Sequence, residues 1–215
     1  MNYKIIHETT YIFDDDVFLE PHYLRFRPKQ TAFIELTSFS IALKSEPEGH
    51  SVIEDEEHNT IDFYWFEKLT TSLTIHVQSC LQTKEHNPFN FIVHPDSFNT
   101  LPFAYSAHQQ QILFASLQKQ AIAQELVDYA NAILDASHFN TIAFVTNLTS
   151  QIHQDFSVEY REDGPPLSPN STFKMKRGSC RDLSWMQIAL LRNYGIAARF
   201  VSGYFYFDME KPIYE

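Results

Sequence analysis

Lys174-Met175-Lys176-Arg177-Gly178-Ser179-Cys180-Arg181-Asp182 runs into Leu183, Gln187, Leu190 and Leu191, and then into Arg192-Asn193-Tyr194-Gly195. The apolar positions from Leu183 onward recur at helical spacing, and Gly195 supplies the left-handed residue on which a helix ends. Cys180 therefore opens a helix, where backbone N–H groups lack partners and the helix dipole favours negative charge. Four of the 16 Lys and Arg residues (Lys174, Lys176, Arg177 and Arg181) fall within eight positions around that sulfur. Both features favour the thiolate, the nucleophilic form of the side chain. Beyond Gly195, Arg199 to Phe207 is rich in aromatics and reads as a strand.

Upstream of this stretch, Gly164-Pro165-Pro166-Leu167-Ser168-Pro169-Asn170 is a loop. Two helical segments precede it. One lies within Gln109–Ala136, with Ile122, Leu126, Tyr129 and Ile133 in phase. The other covers about Asn140–Gln154, with Ile142, Val145, Leu148 and Ile152 on one face. Residues 86 to about 108 carry His86-Asn87-Pro88, His94-Pro95-Asp96 and Leu101-Pro102, the composition of an extended, packed connector. The first hundred residues read as β. Tyr3, Ile5, His7, Thr9, Tyr11 and Phe13 alternate with Lys4, Ile6, Glu8 and Thr10, and Leu73, Ile75, Val77, Ser79 and Leu81 with Thr74, His76, Gln78 and Cys80. Further β-prone segments lie around Val17–Phe26, Ala32–Lys44 and Thr60–Phe66. Turn signals at Asp14-Asp15-Asp16, Arg27-Pro28-Lys29 and Glu46-Pro47-Glu48-Gly49 separate them. The expected class is α+β: an antiparallel β-sandwich or small barrel over 1–108, then an α+β domain over 109–215.

Composition sets the outer bounds. The chain has 215 residues, 27 acidic against 16 basic, for a formal charge of -11. Nucleic acid and anionic membranes call for a basic face, so neither is expected as a partner. At 44% hydrophobic and 15% aromatic, the chain is too apolar for intrinsic disorder. No apolar run approaches the ~18 residues of a membrane-spanning helix. The N-terminus lacks a secretory signal, which points to the cytoplasm. Cys80 and Cys180 cannot make a disulfide framework or a zinc knuckle, and without secretion a single bridge between them is not expected.

Free cysteines are usually small core hydrophobes, and Cys80, inside an alternating strand, is read that way. Cys180 differs by its helix-opening position and basic flank. His50 and His58 flank Glu54-Asp55-Glu56-Glu57, but the spacing is irregular for a metal site and the run is read as a solvated hairpin end. No metal or cofactor is expected. His7, on an alternating strand face, is read as making a structural hydrogen bond.

Three separated blocks carry a family resemblance. Gly178-Ser179-Cys180-Arg181-Asp182-Leu183, Leu190-Leu191-Arg192-Asn193-Tyr194-Gly195-Ile196 and Ala198-Arg199-Phe200-Val201-Ser202-Gly203-Tyr204 resemble the core of the transglutaminase-like superfamily, in its order and spacing. Cys180 falls on the family's nucleophile. Tyr3, Ile5, His7, Thr9 and Tyr11, with Arg25-Phe26-Arg27-Pro28 after them, resemble the N-terminal β domain of bacterial members. The resemblance is weak from residue 40 to 150.

It implies a papain-like core and a thiol mechanism on peptide or protein amides through a Cys180 thioester. Hydrolysis is favoured over transamidation by analogy with members described as cysteine proteases. Ser179, Arg181, Asp182 and Trp185 are the expected supports of the thiolate or of the site. The family's histidine and aspartate follow the cysteine, whereas all ten histidines here precede Cys180. The expectation is therefore an enzyme core incomplete at its C-terminus and inert as it stands. The alternative is a non-catalytic protein-binding module on a degenerate scaffold. Ala197 stands where the family has proline, and Trp185 where histidine is frequent.

Overall fold

Period-two alternation at the N-terminus becomes β1 (Asn2–Phe18), which runs antiparallel to β6 (Leu69–Thr83). The computed structural model describes residues 1–161 and 164–205, and the chain divides into two units, Met1–Phe91 and the part from Ile92 onward. In the first unit β6 is the centre of a three-stranded sheet, between β1 and β3 (Ile34–Lys44). A second three-stranded sheet has the order β2 (His22–Leu24), β5 (Thr60–Trp65), β4 (Gly49–Glu54). Leu73, Ile75 and Val77 of β6 alternate inward and bury with Leu24, Tyr64 and Phe66 of the other sheet. His7 faces the same way, its Nε2 2.9 Å from Thr9 Oγ1 and its ring 4.9 Å from Phe26. Burial holds that imidazole below its ordinary pKa.

Asp14-Asp15-Asp16 is not the turn expected of it. The register slips between Ile12 and Val17, so the triplet bulges out of a continuous strand with its carboxylates exposed. Pairing on either side with one long β6 outweighs the local turn preference. Glu54 to Asn59 does close the β4–β5 hairpin, where Asp55 accepts from the backbone N–H groups of Glu57 and Asn59. Gly49 is required by packing, since a Cβ there would lie 2.0 Å from the Trp65 ring. Under the sheets sits a charged cluster. Asp62, 2% exposed, accepts from Arg27 Nη2 at 2.8 Å and lies 3.2 Å from His50 Nε2. The Arg27 guanidinium also stacks 4.2 Å over Phe39.

In the second unit the proline-rich connector packs against the helices. Leu101 is buried, its N–H donates to Phe139 O at 2.8 Å, and Thr141 Oγ1 donates to Phe98 O at 2.7 Å. The division between units falls between Phe91 and Ile92. The helical segment expected within Gln109–Ala136 is α3 (Gln124–Ala136), which follows α1 (Ala107–Ile112) and α2 (Phe114–Leu117) after a break at 118–123. Tertiary bonds hold the break open: Ala123 N–H donates to Asn170 Oδ1, and Lys119 Nζ to Asn193 O. α4 (Thr141–Asp155) starts on an Asn140 cap and buries Phe144, Leu148 and Ile152. Its face is rotated from the expected one, leaving Ile142 36% exposed, because the large Phe144 takes the core position. β7 (Ser157–Val158), α5 (Pro169–Met175), β8 (Arg177–Gly178) and α6 (Cys180–Asn193) complete the described elements. α3, α4 and α6 share one apolar core.

α6 ends as the sequence predicts. Gly195 has φ +78°, its N–H donates to Arg192 O, and Ile196 N–H donates to Leu191 O. The strand expected over Arg199–Phe207 is not formed across its described part, Arg199–Phe205. Strand preference in one segment does not make a strand without a ladder; Tyr206 and Phe207 lie outside the described residues. The chain is thus a mixed α and β protein, with antiparallel N-terminal sheets followed by a helical core. Among the described residues, no helix is long and apolar enough to cross a membrane.

Removing one partner of a buried ion pair strands the other. Arg27→Ala should therefore cost the N-terminal unit about 3 kcal/mol, read as a lowered urea midpoint in a fluorescence unfolding curve.

Candidate active site

The chain enters the site along β8, which lies parallel to β7 with Ser157 opposite Arg177 and Val158 opposite Gly178. Lys176, just before β8, takes the left-handed conformation that ends α5 (φ 53°). Its ammonium lies 3.8 Å over Phe173, 4.5 Å over Phe156 and 5.1 Å over Tyr129. That aromatic cluster fixes the backbone at the approach to Cys180. Arg177 Nε stands 3.7 Å from Glu159 Oε2, so two members of the basic cluster have partners of their own.

Ser179 caps α6 and Cys180 is its first residue. Ser179 Oγ accepts from Asp182 N–H, and Asp182 Oδ2 accepts in return from Ser179 N–H at 2.9 Å, a reciprocal capping box. Cys180 is exposed and its thiol is free, while Ser179 and Asp182 beneath it are buried. Arg181 is half-buried. Trp185, also half-buried, stands with its ring 5.9 Å from the Arg192 guanidinium. The five site residues expected from the sequence thus lie on the cap and the first turns of one helix.

Asp182 has contacts that its spacing from Cys180 did not announce. Its Oδ1 accepts from Leu167 N–H at 2.7 Å and lies 3.4 Å from Arg161 Nη2; its Oδ2 also accepts from Ser179 Oγ at 2.9 Å. Burial opposes ionisation, but the Leu167 and Ser179 bonds together with Arg161 outweigh it and hold the carboxyl below its ordinary pKa. Gly178 makes room for this arrangement, because a Cβ there would lie 2.9 Å from Asp182 Cβ. Arg161 and the Leu167 N–H are the participants that sequence reading missed. The only available signal was the Gly164-Pro165-Pro166 loop shortly before the cysteine. None of the ten histidines hydrogen-bonds to Cys180 among the described residues, and no group of metal-ligating side chains is found there.

Two outcomes are expected of this packing. Gly178→Ala should destabilise the second unit by about 1–3 kcal/mol, measured by denaturant unfolding, because Asp182 must move to admit the methyl group. The folded Asp182 carboxyl ionises below its ordinary value of 3.8, so its contribution to stability is full above that pH and is lost as pH falls through the lowered folded value. Unfolding free energies of the wild type and of Asp182→Ala should therefore differ most near neutrality and converge in acid.

Residues 3–82 match the bacterial transglutaminase-like N-terminal region, and residues 127–210 match the transglutaminase-like superfamily. No curated protein sequence matches the chain. A crystal structure from Cytophaga hutchinsonii, described as a "Putative Cysteine Protease", superposes with a TM-score of 0.63 at 15% identity. The alignment covers 91% of this chain and 64% of that one, so the present chain spans under two thirds of its neighbour's length. With the two matches in this order, the chain belongs to the transglutaminase-like superfamily and carries the bacterial N-terminal region ahead of its core.

Proposed function

We propose that Cys180 is the nucleophile of a thiol enzyme that acts on peptide or protein amides, of the hydrolase type. One observation carries the reading: within the family match, the exposed free thiol of Cys180 is the first residue of a capped 14-residue helix. The unpaired amides of that first turn favour negative charge on the sulfur and on an adduct formed there.

The chemistry is acyl transfer in two stages. The sulfur adds to the amide carbonyl carbon, the C–N bond breaks, and the amine leaves with a proton, giving a thioester. Water then adds to the thioester, the C–S bond breaks, and the thiol and a carboxylic acid are released. An amine in place of water gives a new amide. The printed description of the Cytophaga hutchinsonii protein favours water. In the family a histidine after the cysteine moves the proton and an aspartate orients it; no histidine follows Cys180 in these 215 residues. The catalytic reading therefore needs a histidine from further chain, and a chain that has none fits a protein-binding module instead.

Alkylation of the native protein by iodoacetamide, followed by peptide mass analysis, should modify Cys180 at least ~10-fold faster than the half-buried Cys80. Equal slow rates would remove the support for an activated thiol. Sequencing past codon 215 should find a histidine and then an aspartate within about 40 residues. In the complete protein, Cys180→Ser should abolish amide hydrolysis and leave the fold intact. An immediate stop codon would favour the binding module.

A further inference from the structure

The Asp182 carboxylate reaches two pieces of chain that are distant in sequence. Oδ2 takes the N–H and the hydroxyl of Ser179, at 2.9 Å each, on one side of Cys180. Oδ1 takes the Leu167 N–H at 2.7 Å and faces the Arg161 guanidinium at 3.4 Å. Arg161 Nη2 donates in turn to Pro165 O, so the guanidinium grips the same loop from its other end. Gly164, Pro165 and Pro166 are exposed, and Pro165 and Pro166 carry no N–H; within the Gly164–Leu167 loop, only the Leu167 amide is bonded to the carboxylate.

All four partners are donors. An aspartate meets them as a pure acceptor with lone pairs on both oxygens, whereas an isosteric asparagine must turn its NH2 toward a donor on one side or the other. The ionised group, and not just its shape, is what the site requires. A capping box alone needs only the Ser179 side. The contacts on Oδ1 go beyond helix capping.

We infer that Asp182 is a positioning residue that clamps the Gly164–Leu167 loop to the first turn of the Cys180 helix, fixing the sulfur relative to the loop beside it. The inference rests on the reading of Cys180 as nucleophile. It assigns to Asp182 no contact with substrate. The loop and the nucleophile turn share one carboxylate, so loosening either frees the other.

The test is Asp182→Asn in the full 215-residue chain, with two measurements taken well below its melting temperature. Amide exchange by NMR should show Leu167 exchanging at least ~10-fold faster than in the wild type. Iodoacetamide should alkylate Cys180 several-fold more slowly, because the first-turn amides are no longer held under the sulfur. A Leu167 amide that stays protected overturns the clamp. Fast exchange with an unchanged Cys180 rate overturns the positioning role and leaves Asp182 merely structural. Should Asp182→Asn fail to fold, Ser179→Ala is the milder breach: it removes one donor to Oδ2 and should slow alkylation by a smaller factor, and an unchanged rate is again fatal to the positioning role. Leu167 exchange does not depend on thiol chemistry, so failure of the nucleophile reading, seen as equal slow Cys180 and Cys80 rates in the wild type, is told apart from failure of the clamp.

Discussion

A carboxylate shut off from water is tolerated only when its lone pairs meet donors, and Asp182 meets that condition with groups that also build the site. The backbone amides of Leu167 and Ser179 serve the carboxylate and are in turn withdrawn from solvent by it. Leaving any of them without a partner costs about as much as a lost buried hydrogen bond, on the order of 1–3 kcal/mol. The arrangement is thus mutually enforcing: the loop closes because the helix is capped, and the cap is buried because the loop is closed. Gly178 is small for the same reason, since the space of a side chain is already taken by Asp182.

The N-terminal unit also buries an acid, but there only one carboxylate oxygen, Oδ1 of Asp62, meets partners. Asp62 lies almost wholly inside the β-sandwich and is neutralised by Arg27, from the basic, proline-ended stretch that the sequence made conspicuous. Arg27 lays its guanidinium on Phe39, which lets a charged group line an apolar interior. Among the described residues, each unit thus places a buried acid where several chain segments converge. In each case one oxygen is shared between a cation and a second donor.

Much of this was legible in the residues because it depends on short-range pattern. Alternation gave β1 and β6; the helical spacing from Leu183 and the terminating Gly195 gave α6. The failures share a cause. The Asp14-Asp15-Asp16 turn and the strand from Arg199 to Phe207 were each read from local preference, and in the first, pairing with the distant β6 decided otherwise. The rotated face of α4 is a packing choice between Ile142 and Phe144 that periodicity alone cannot make. Cys180 and its neighbours were found because they are contiguous. Arg161 and Leu167 were not, since nothing in their spacing encodes a hydrogen bond across 15 residues or more.

The acidic bulge of β1 bears on what can pair with the edge of its sheet. β1 is a long outer strand, and an outer strand offers a row of main-chain groups on which a stranger's strand can register. Three adjacent exposed carboxylates, set where the pleat is interrupted, break that row and repel a like-charged copy approaching it. In a chain of formal charge -11, these carboxylates disfavour strand addition at that edge, and because the effect is electrostatic it weakens in strong salt.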